Sequence, residues 1–134
     1  MKALGNHTLL ELYECDPAVL DHLGEVREIM LEAARRGKAT IVTEVFHQFS
    51  PQGISGVIVI AESHLAIHTW PEHGFAAVDL FSCSQTIDVS AIEQCLKARF
   101  RSERSERIEF ARGSKLNGTK IDSRSSMETV PSRA

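Results

Sequence analysis

The stretch Gly56-Val57-Ile58-Val59-Ile60-Ala61-Glu62-Ser63-His64-Leu65-Ala66-Ile67-His68-Thr69-Trp70-Pro71 decides the fold. It opens on a continuous apolar run, residues 57–60. A short apolar run rich in β-branched side chains reads as a strand covered on both faces. A second run, residues 65–70, is stopped by Pro71, which has no N–H to extend a ladder. Between the runs lie Ala61, Glu62, Ser63 and His64, a polar turn. Two strands joined by so short a turn pair antiparallel, because a parallel crossover needs a dozen residues or more.

Working outward, residues 39–49 hold Thr40, Ile41, Val42, Thr43, Val45 and Phe46, a third strand ended by the turn Ser50-Pro51-Gln52-Gly53. Residues 74–81 read as a fourth. Residues 4–14 read as a strand with Thr8, Leu10 and Leu12 on one side and His7, Leu9, Glu11 and Tyr13 on the other. Asp16-Pro17 then starts a helix, with Asp16 as its cap and Pro17 in its first turn. Leu20, Leu23, Val26, Ile29, Met30 and Ala33 repeat at helical spacing up to a C-cap at Gly37. Val89, Ile92, Leu96 and Phe100 mark a second helix over residues 89–100, with Asp88 or Ser90 near its start. Residues 106–111 make a last short strand. The order implies an α+β fold: a two-layer sandwich, an antiparallel sheet with two helices on one face. The other face needs a cover, which points to a dimer through the sheets or their edges.

Residues 1–113 are expected to form this one domain. From residue 114 to 134 the chain turns to Ser, Lys, Arg and Thr with almost no large apolar residue, so a disordered polar tail is expected there. The net charge of −3 builds no field for nucleic acid or an anionic membrane. Three cysteines, Cys15, Cys83 and Cys95, are an odd set without close pairing, which argues for a reducing compartment. The longest apolar run, residues 57–61, is too short to span a bilayer, and the N-terminus lacks a signal-peptide pattern. A cytoplasmic protein is expected.

The central stretch places Glu62, Ser63, His64 and His68 between two apolar strands, where an unpaired buried polar group costs roughly 1–3 kcal/mol. The plainest explanation is a polar turn with no further role, and a lone His68 on a strand is more often structural than catalytic. His64 and His68 are four apart, about 13 Å along a strand, too far to chelate one ion whose bonds are about 2 Å; no metal site is assigned. Ser63, His68 and Asp79 could be grouped as a hydrolase triad, but Ser63 lacks a nucleophile-elbow setting. Residue types alone leave these alternatives open.

The block over residues 46–72, FHQFSPQGISGVIVIAESHLAIHTWPE, followed by AAVDLFSC at residues 76–83, resembles the small prokaryotic S-adenosylmethionine decarboxylases, a pyruvoyl-dependent family of polyamine synthesis. The opening GNHTLLELYECDP, residues 5–17, matches more loosely, and the likeness covers about residues 4–112. One departure is local: Ser84-Gln85-Thr86 stands where the turn after Cys83 is expected to carry a glycine.

The resemblance implies self-cleavage between Glu62 and Ser63, with Ser63 becoming a pyruvoyl cofactor at a new chain end. It implies that Ser63 attacks the Glu62 carbonyl, that His68 is the processing base, and that Ser55 belongs to the processing and substrate site. In the mature enzyme it implies a Schiff base between the pyruvoyl ketone and the amine of S-adenosylmethionine, with Cys83 as proton donor, Phe49 stacking on adenine and Glu72 on the ribose hydroxyls. It implies a pocket completed across a dimer of cleaved pairs. Ser63 and His68 are five apart, so an unbroken strand puts them on opposite faces; their contact needs a turn at residues 62–64 or a partner chain. Two rivals stand beside this expectation: the same self-cleaved scaffold acting on ornithine or arginine, and a non-enzymatic α+β binding module.

Overall fold

A computed structural model describes residues 3–114, so the expected tail at 114–134 lies almost wholly outside the described residues. The elements in chain order are β1 (Gly5–Tyr13), α1 (Pro17–Leu20), α2 (Leu23–Arg36), β2 (Ile41–Gln48), β3 (Ile54–Ile60), β4 (Ser63–Trp70), a 3-10 turn (Pro71–His73), β5 (Phe75–Ser82), α3 (Val89–Arg99) and β6 (Arg104–Arg112). Six strands form one antiparallel sheet in the order β2-β3-β4-β5-β1-β6. The helices lie on one face, which makes the two-layer α+β sandwich. The last strand is longer than the short one expected, nine residues in register with all of β1.

One sheet face and the helices make the core. Leu10, Leu12, Ile54, Ile58, Ile60, Leu65, Ile67, Ala76, Val78 and Leu80 point inward from four strands, β1, β3, β4 and β5. They meet Leu20, Val26, Ile29, Met30 and Ala33 from the first helical region and Ile92, Leu96 and Phe100 from α3 and its cap. Gly37 lets the two long helices close: a Cβ there would lie 2.4 Å from Ile92 Cγ1.

The single helix expected after Asp16 is two. Asp16 does cap the first turn, its side chain accepting from Ala18 N–H at 3.0 Å. The helix breaks after Leu20, and His22 caps the second segment by accepting the Glu25 N–H on Nδ1 at 3.0 Å. The break frees Asp21 to hold another element. Its carboxylate accepts the Gly53 N–H at 3.0 Å and its carbonyl accepts Gln48 Nε2 at 2.8 Å. Asp21 thereby anchors the β2–β3 connection that carries Phe49.

A second expectation fails for one chain. The run at 57–60 is not covered on both faces: Ile58 and Ile60 are buried, but Val59 is 39% exposed and Val57 only half-buried. The face opposite the helices is open across the whole sheet, and Val45 on β2 is 63% exposed there. Among the described residues no helix is long and apolar enough to cross a membrane.

Candidate functional site

The β3–β4 hairpin turns on two residues, Ala61 and Glu62, since Ile60 pairs with Ser63. Two-residue hairpin loops usually take mirror-image turns with φ > 0 inside the loop, because those match strand twist. Here neither loop residue has a positive φ; the positive value, +151°, falls on Ser63. That region is essentially reserved for glycine, and a side chain held there costs about 1–3 kcal/mol. The backbone is therefore strained at the residue whose hydroxyl the sequence singles out.

The neighbouring strand completes the junction. Ser63 pairs with Ser82, the last residue of β5, and the next residue, Cys83, donates its backbone N–H to the Glu62 carbonyl oxygen at 2.9 Å. A fixed N–H aimed at a carbonyl favours negative charge developing on that oxygen during nucleophilic attack. The Cys83 side chain is exposed beside this junction. On the far side, Thr40 binds the same loop. Its carbonyl accepts the Ala61 N–H at 2.8 Å, its N–H donates to Glu62 Oε1 at 3.1 Å, and its hydroxyl donates to Glu62 Oε2 at 3.2 Å. The Thr40 N–H in particular holds the Glu62 carboxyl below the usual carboxylate range.

The glycine expected after Cys83 is not required. Hydroxyls build that turn instead: Ser82 Oγ donates to Ser84 O and accepts the Ser84 N–H, both at 3.0 Å, and Ser84 Oγ accepts the Thr86 N–H at 3.1 Å. No residue of the turn takes a positive φ.

The remaining expected residues gather at the other end of the hairpin. Ser55 on β3 lies opposite His68 on β4, and Ser55 Oγ is 2.8 Å from His68 Nδ1. The His68 ring lies 6.5 Å from Trp70, and His47, opposite Ser55 on β2, packs edge-on to Phe49 at 4.7 Å. Phe49 is 49% exposed. Glu72 is exposed in the 3-10 turn that follows Trp70. His68 stands five residues along β4 from Ser63, about 16 Å at strand rise. Within one chain the structure thus gives two half-sites: Glu62, Ser63 and Cys83 at the loop end, and Phe49, Ser55 and His68 with Glu72 at the other.

Between them, on the open face, is a cluster that the sequence did not single out. His7 on β1 and His64 on β4 both lie opposite Phe81 in register, and both lean toward Asp79, two residues away on β5. Asp79 Oδ2 is 2.9 Å from His7 Nε2 and 3.0 Å from His64 Nε2. Burial pushes the Asp79 carboxyl up, but the two imidazole hydrogen bonds more than offset it and the net shift is downward. Asp79 is thus committed to His7 and His64, and Ser63, His68 and Asp79 form no triad within the chain. Period-two alternation could have put His7, His64 and Asp79 on one face, but not on adjacent strands, because the order β4-β5-β1 is set by long-range pairing.

The sequence and the fold both resemble those of known proteins. The family model for S-adenosylmethionine decarboxylase matches residues 6–113. The S-adenosylmethionine decarboxylase proenzyme of Thermotoga petrophila is 49% identical over 113 residues, covering 84% of this chain and 87% of that protein. That of Thermodesulfovibrio yellowstonii is 50% identical over 113 residues, covering 84% of each. The crystal structure of the adenosylmethionine decarboxylase from Aquifex aeolicus VF5 superposes with a TM-score of 0.78 at 30% identity, covering 90% of this chain and all of that one. With matching fold, a matched segment that spans both half-sites and close relatives along most of its length, this chain belongs to the S-adenosylmethionine decarboxylase family.

Proposed function

We propose that the chain is a proenzyme that cuts itself between Glu62 and Ser63, converts Ser63 to a pyruvoyl group, and decarboxylates S-adenosylmethionine for polyamine synthesis. One observation carries the self-cleavage: the Glu62 carbonyl is held by the Cys83 N–H at 2.9 Å, next to a Ser63 backbone strained to φ +151°.

Cleavage begins when Ser63 Oγ attacks the Glu62 carbonyl carbon. The amide C–N bond breaks, an ester forms and the amine of residue 63 is released. Relief of the Ser63 strain favours this step, and the Cys83 N–H stabilises the oxyanion. A base then takes the α-proton of residue 63. The Cβ–O bond breaks, Glu62 leaves as a carboxylate chain end, and residue 63 becomes dehydroalanine. Its imine tautomer takes up water and releases ammonia, which leaves a ketone on residue 63. His68 is the base. In the tautomer whose Nδ1–H donates to Ser55 Oγ, Nε2 carries the lone pair that takes the proton.

His68 and Ser63 are at opposite ends of β4, so the base comes from a second copy. A two-fold axis that packs the open faces with strands antiparallel brings the loop end of one chain over the Ser55–His68 end of the other. The functional unit is then a dimer with two composite sites, and the open face, with Val45 and Val59 exposed on it, is its interface.

The pyruvoyl group supplies a ketone that takes up the substrate amine and accepts the electrons released with carbon dioxide. The chain's own residues do the rest. Cys83, exposed beside the junction, delivers the proton to the substrate α-carbon. Phe49 offers an exposed ring to adenine and Glu72 a carboxylate to the ribose hydroxyls. The relatives act on S-adenosylmethionine by name, and nothing favours ornithine or arginine.

Denaturing mass spectrometry of purified protein tests this. Expected are two chains, residues 1–62 and 63–134, the second blocked to Edman degradation, together with carbon dioxide release from S-adenosylmethionine. Ser63→Ala should stay intact and inactive. A wild-type chain that remains whole would sink the proposal.

A further inference from the structure

We propose that Thr40 is a positioning residue for self-processing, clamping Glu62 so that the scissile carbonyl and Ser63 are held ready to react. The proposal rests on cleavage at Glu62–Ser63 as set out above. A two-residue hairpin loop is ordinarily among the freest parts of a sheet. Here it is tied from both sides. Toward β5, the Glu62 carbonyl oxygen is fixed by the Cys83 N–H. Toward β2, all three hydrogen-bonding groups of Thr40 are used: its carbonyl on Ala61 N–H, its N–H and hydroxyl on the two carboxylate oxygens of Glu62. The peptide that precedes Ser63 cannot turn without giving up one set of bonds.

Thr40 can act as an anchor because it is itself fixed. It stands between the end of α2 and the start of β2. Ala39 N–H bonds to the Ala34 carbonyl at 2.9 Å, and Ile41 is paired with Ile60. With both sides of the loop held, the twist mismatch of the hairpin has nowhere to go but Ser63, where φ is +151°. Release Glu62 from Thr40, and the loop can relax into a turn that leaves Ser63 with an ordinary φ. Attack-ready conformers become rarer, although no group that exchanges a proton or a bond has been removed. The effect belongs to the cutting step, in which Glu62 is still joined to Ser63.

The test follows uncut full-length chain, freshly made by cell-free translation, by intact mass as it cuts. Thr40→Val, which keeps the backbone groups and shape but lacks the hydroxyl, is expected to cut about three- to tenfold more slowly, and Glu62→Ala, which loses both carboxylate bonds, about ten- to a hundredfold more slowly. Thr40→Ser should restore the rate to within about twofold. Because the two residues act as one clamp, Thr40→Val combined with Glu62→Ala should be no slower than Glu62→Ala alone. Melting temperatures of the same variants in a Ser63→Ala background check that the fold is kept. Wild-type rates in Thr40→Val and Glu62→Ala overturn the clamp while leaving self-cleavage intact. So does a Thr40→Ser variant as slow as Thr40→Val, or additive slowing in the double variant. A wild-type chain that never cuts overturns self-cleavage itself.

Discussion

In the proposed cut, three positions, Glu62, Ser63 and Cys83, put different demands on one peptide bond. Glu62 must present its carbonyl, Ser63 must carry a strained backbone, and the chain must return through β5 so that Cys83 arrives with its N–H. This separates two roles of Cys83 that a sequence cannot. The contact to Glu62 comes from the backbone, so Cys83→Ala keeps it and is predicted to cut normally. In the proposed turnover the thiol is the acid. General-acid help of this kind is worth about 10²–10⁴-fold in rate, so the cut Cys83→Ala enzyme is predicted to be slowed by about that factor. Without the thiol, the proton can go to the cofactor carbon, and hydrolysis then leaves an amine there. The 63–134 chain should therefore gain an alanyl terminus during turnover. Carbon dioxide release followed beside the mass of that chain checks this, and wild-type turnover without inactivation would return Cys83 to a backbone role alone. Glu62, Ser63 and Cys83 were legible as candidates through the family resemblance of the blocks that hold them, since residue types alone left other readings open. The Cys83 N–H and the Thr40 clamp were not, because a backbone donor has no letter in the sequence and Thr40 meets Glu62 only through the bulged pairing of β2 with β3.

At the level of strands and helices, patterns of two and 3.6 carried most of the fold, and the misses have physical causes. The apolar spacing Leu20, Leu23, Val26 runs unbroken through the break between α1 and α2, because both segments pack on the same core. What breaks the helix is His22 acting as a cap and Asp21 bonding to the 49–53 connection, neither of which alters hydrophobicity. The run at 57–60 misled for a different reason. A face that is open in one chain but apolar, as at Val57 and Val59, has the same signature as a face under a helix. Across the middle of that face, Asp79 ties β1 and β4 to β5. Its depressed pKa sets the sign of a pH effect. The carboxylate contributes stability fully above the ordinary aspartate value of about 3.9, and the contribution is lost as pH falls through the lower folded value. Asp79→Asn, in an uncut Ser63→Ala background, is predicted to lose about 1–3 kcal/mol at pH 7. The gap to the parent should close as the solution is acidified below pH about 4. Urea unfolding at a series of pH values measures both, and a pH-independent difference would mean that shape, not charge, matters at this position.

For the whole molecule, the division into half-sites makes a prediction no single-chain enzyme shares. On the proposed assignment Ser63→Ala lacks the nucleophile and His68→Ala the base, so neither should cut alone. Co-expressed, they are expected to form mixed dimers in which one composite site has Ser63 from the His68→Ala chain and His68 from the Ser63→Ala chain. That site is predicted to work: the His68→Ala chain is cut and the Ser63→Ala chain is not, which differently tagged chains resolve by mass. No cutting in the mixture would place base and nucleophile in one chain and remove the reason for a shared interface. In the sequence, parity put residues 63 and 68 on opposite faces and left a turn at 62–64 or a partner chain as the ways to join them; which of the two applies depends on strand pairing that no local pattern encodes.

The order of strands has a last consequence. Residues 1–62 carry β1, β2 and β3, and residues 63–134 carry β4, β5 and β6. Yet β1 lies between β5 and β6, and β3 lies beside β4. The two products of the proposed cut are therefore woven through each other along three ladders, and they are expected to stay together under any condition that spares the sheet. Before the cut, folding is a first-order event within one molecule. Afterwards the same sheet can be regained only if two separate polypeptides meet, so recovery from denaturation becomes second order and fails on dilution. Maturation turns a foldable chain into one that has to survive on the structure it already has.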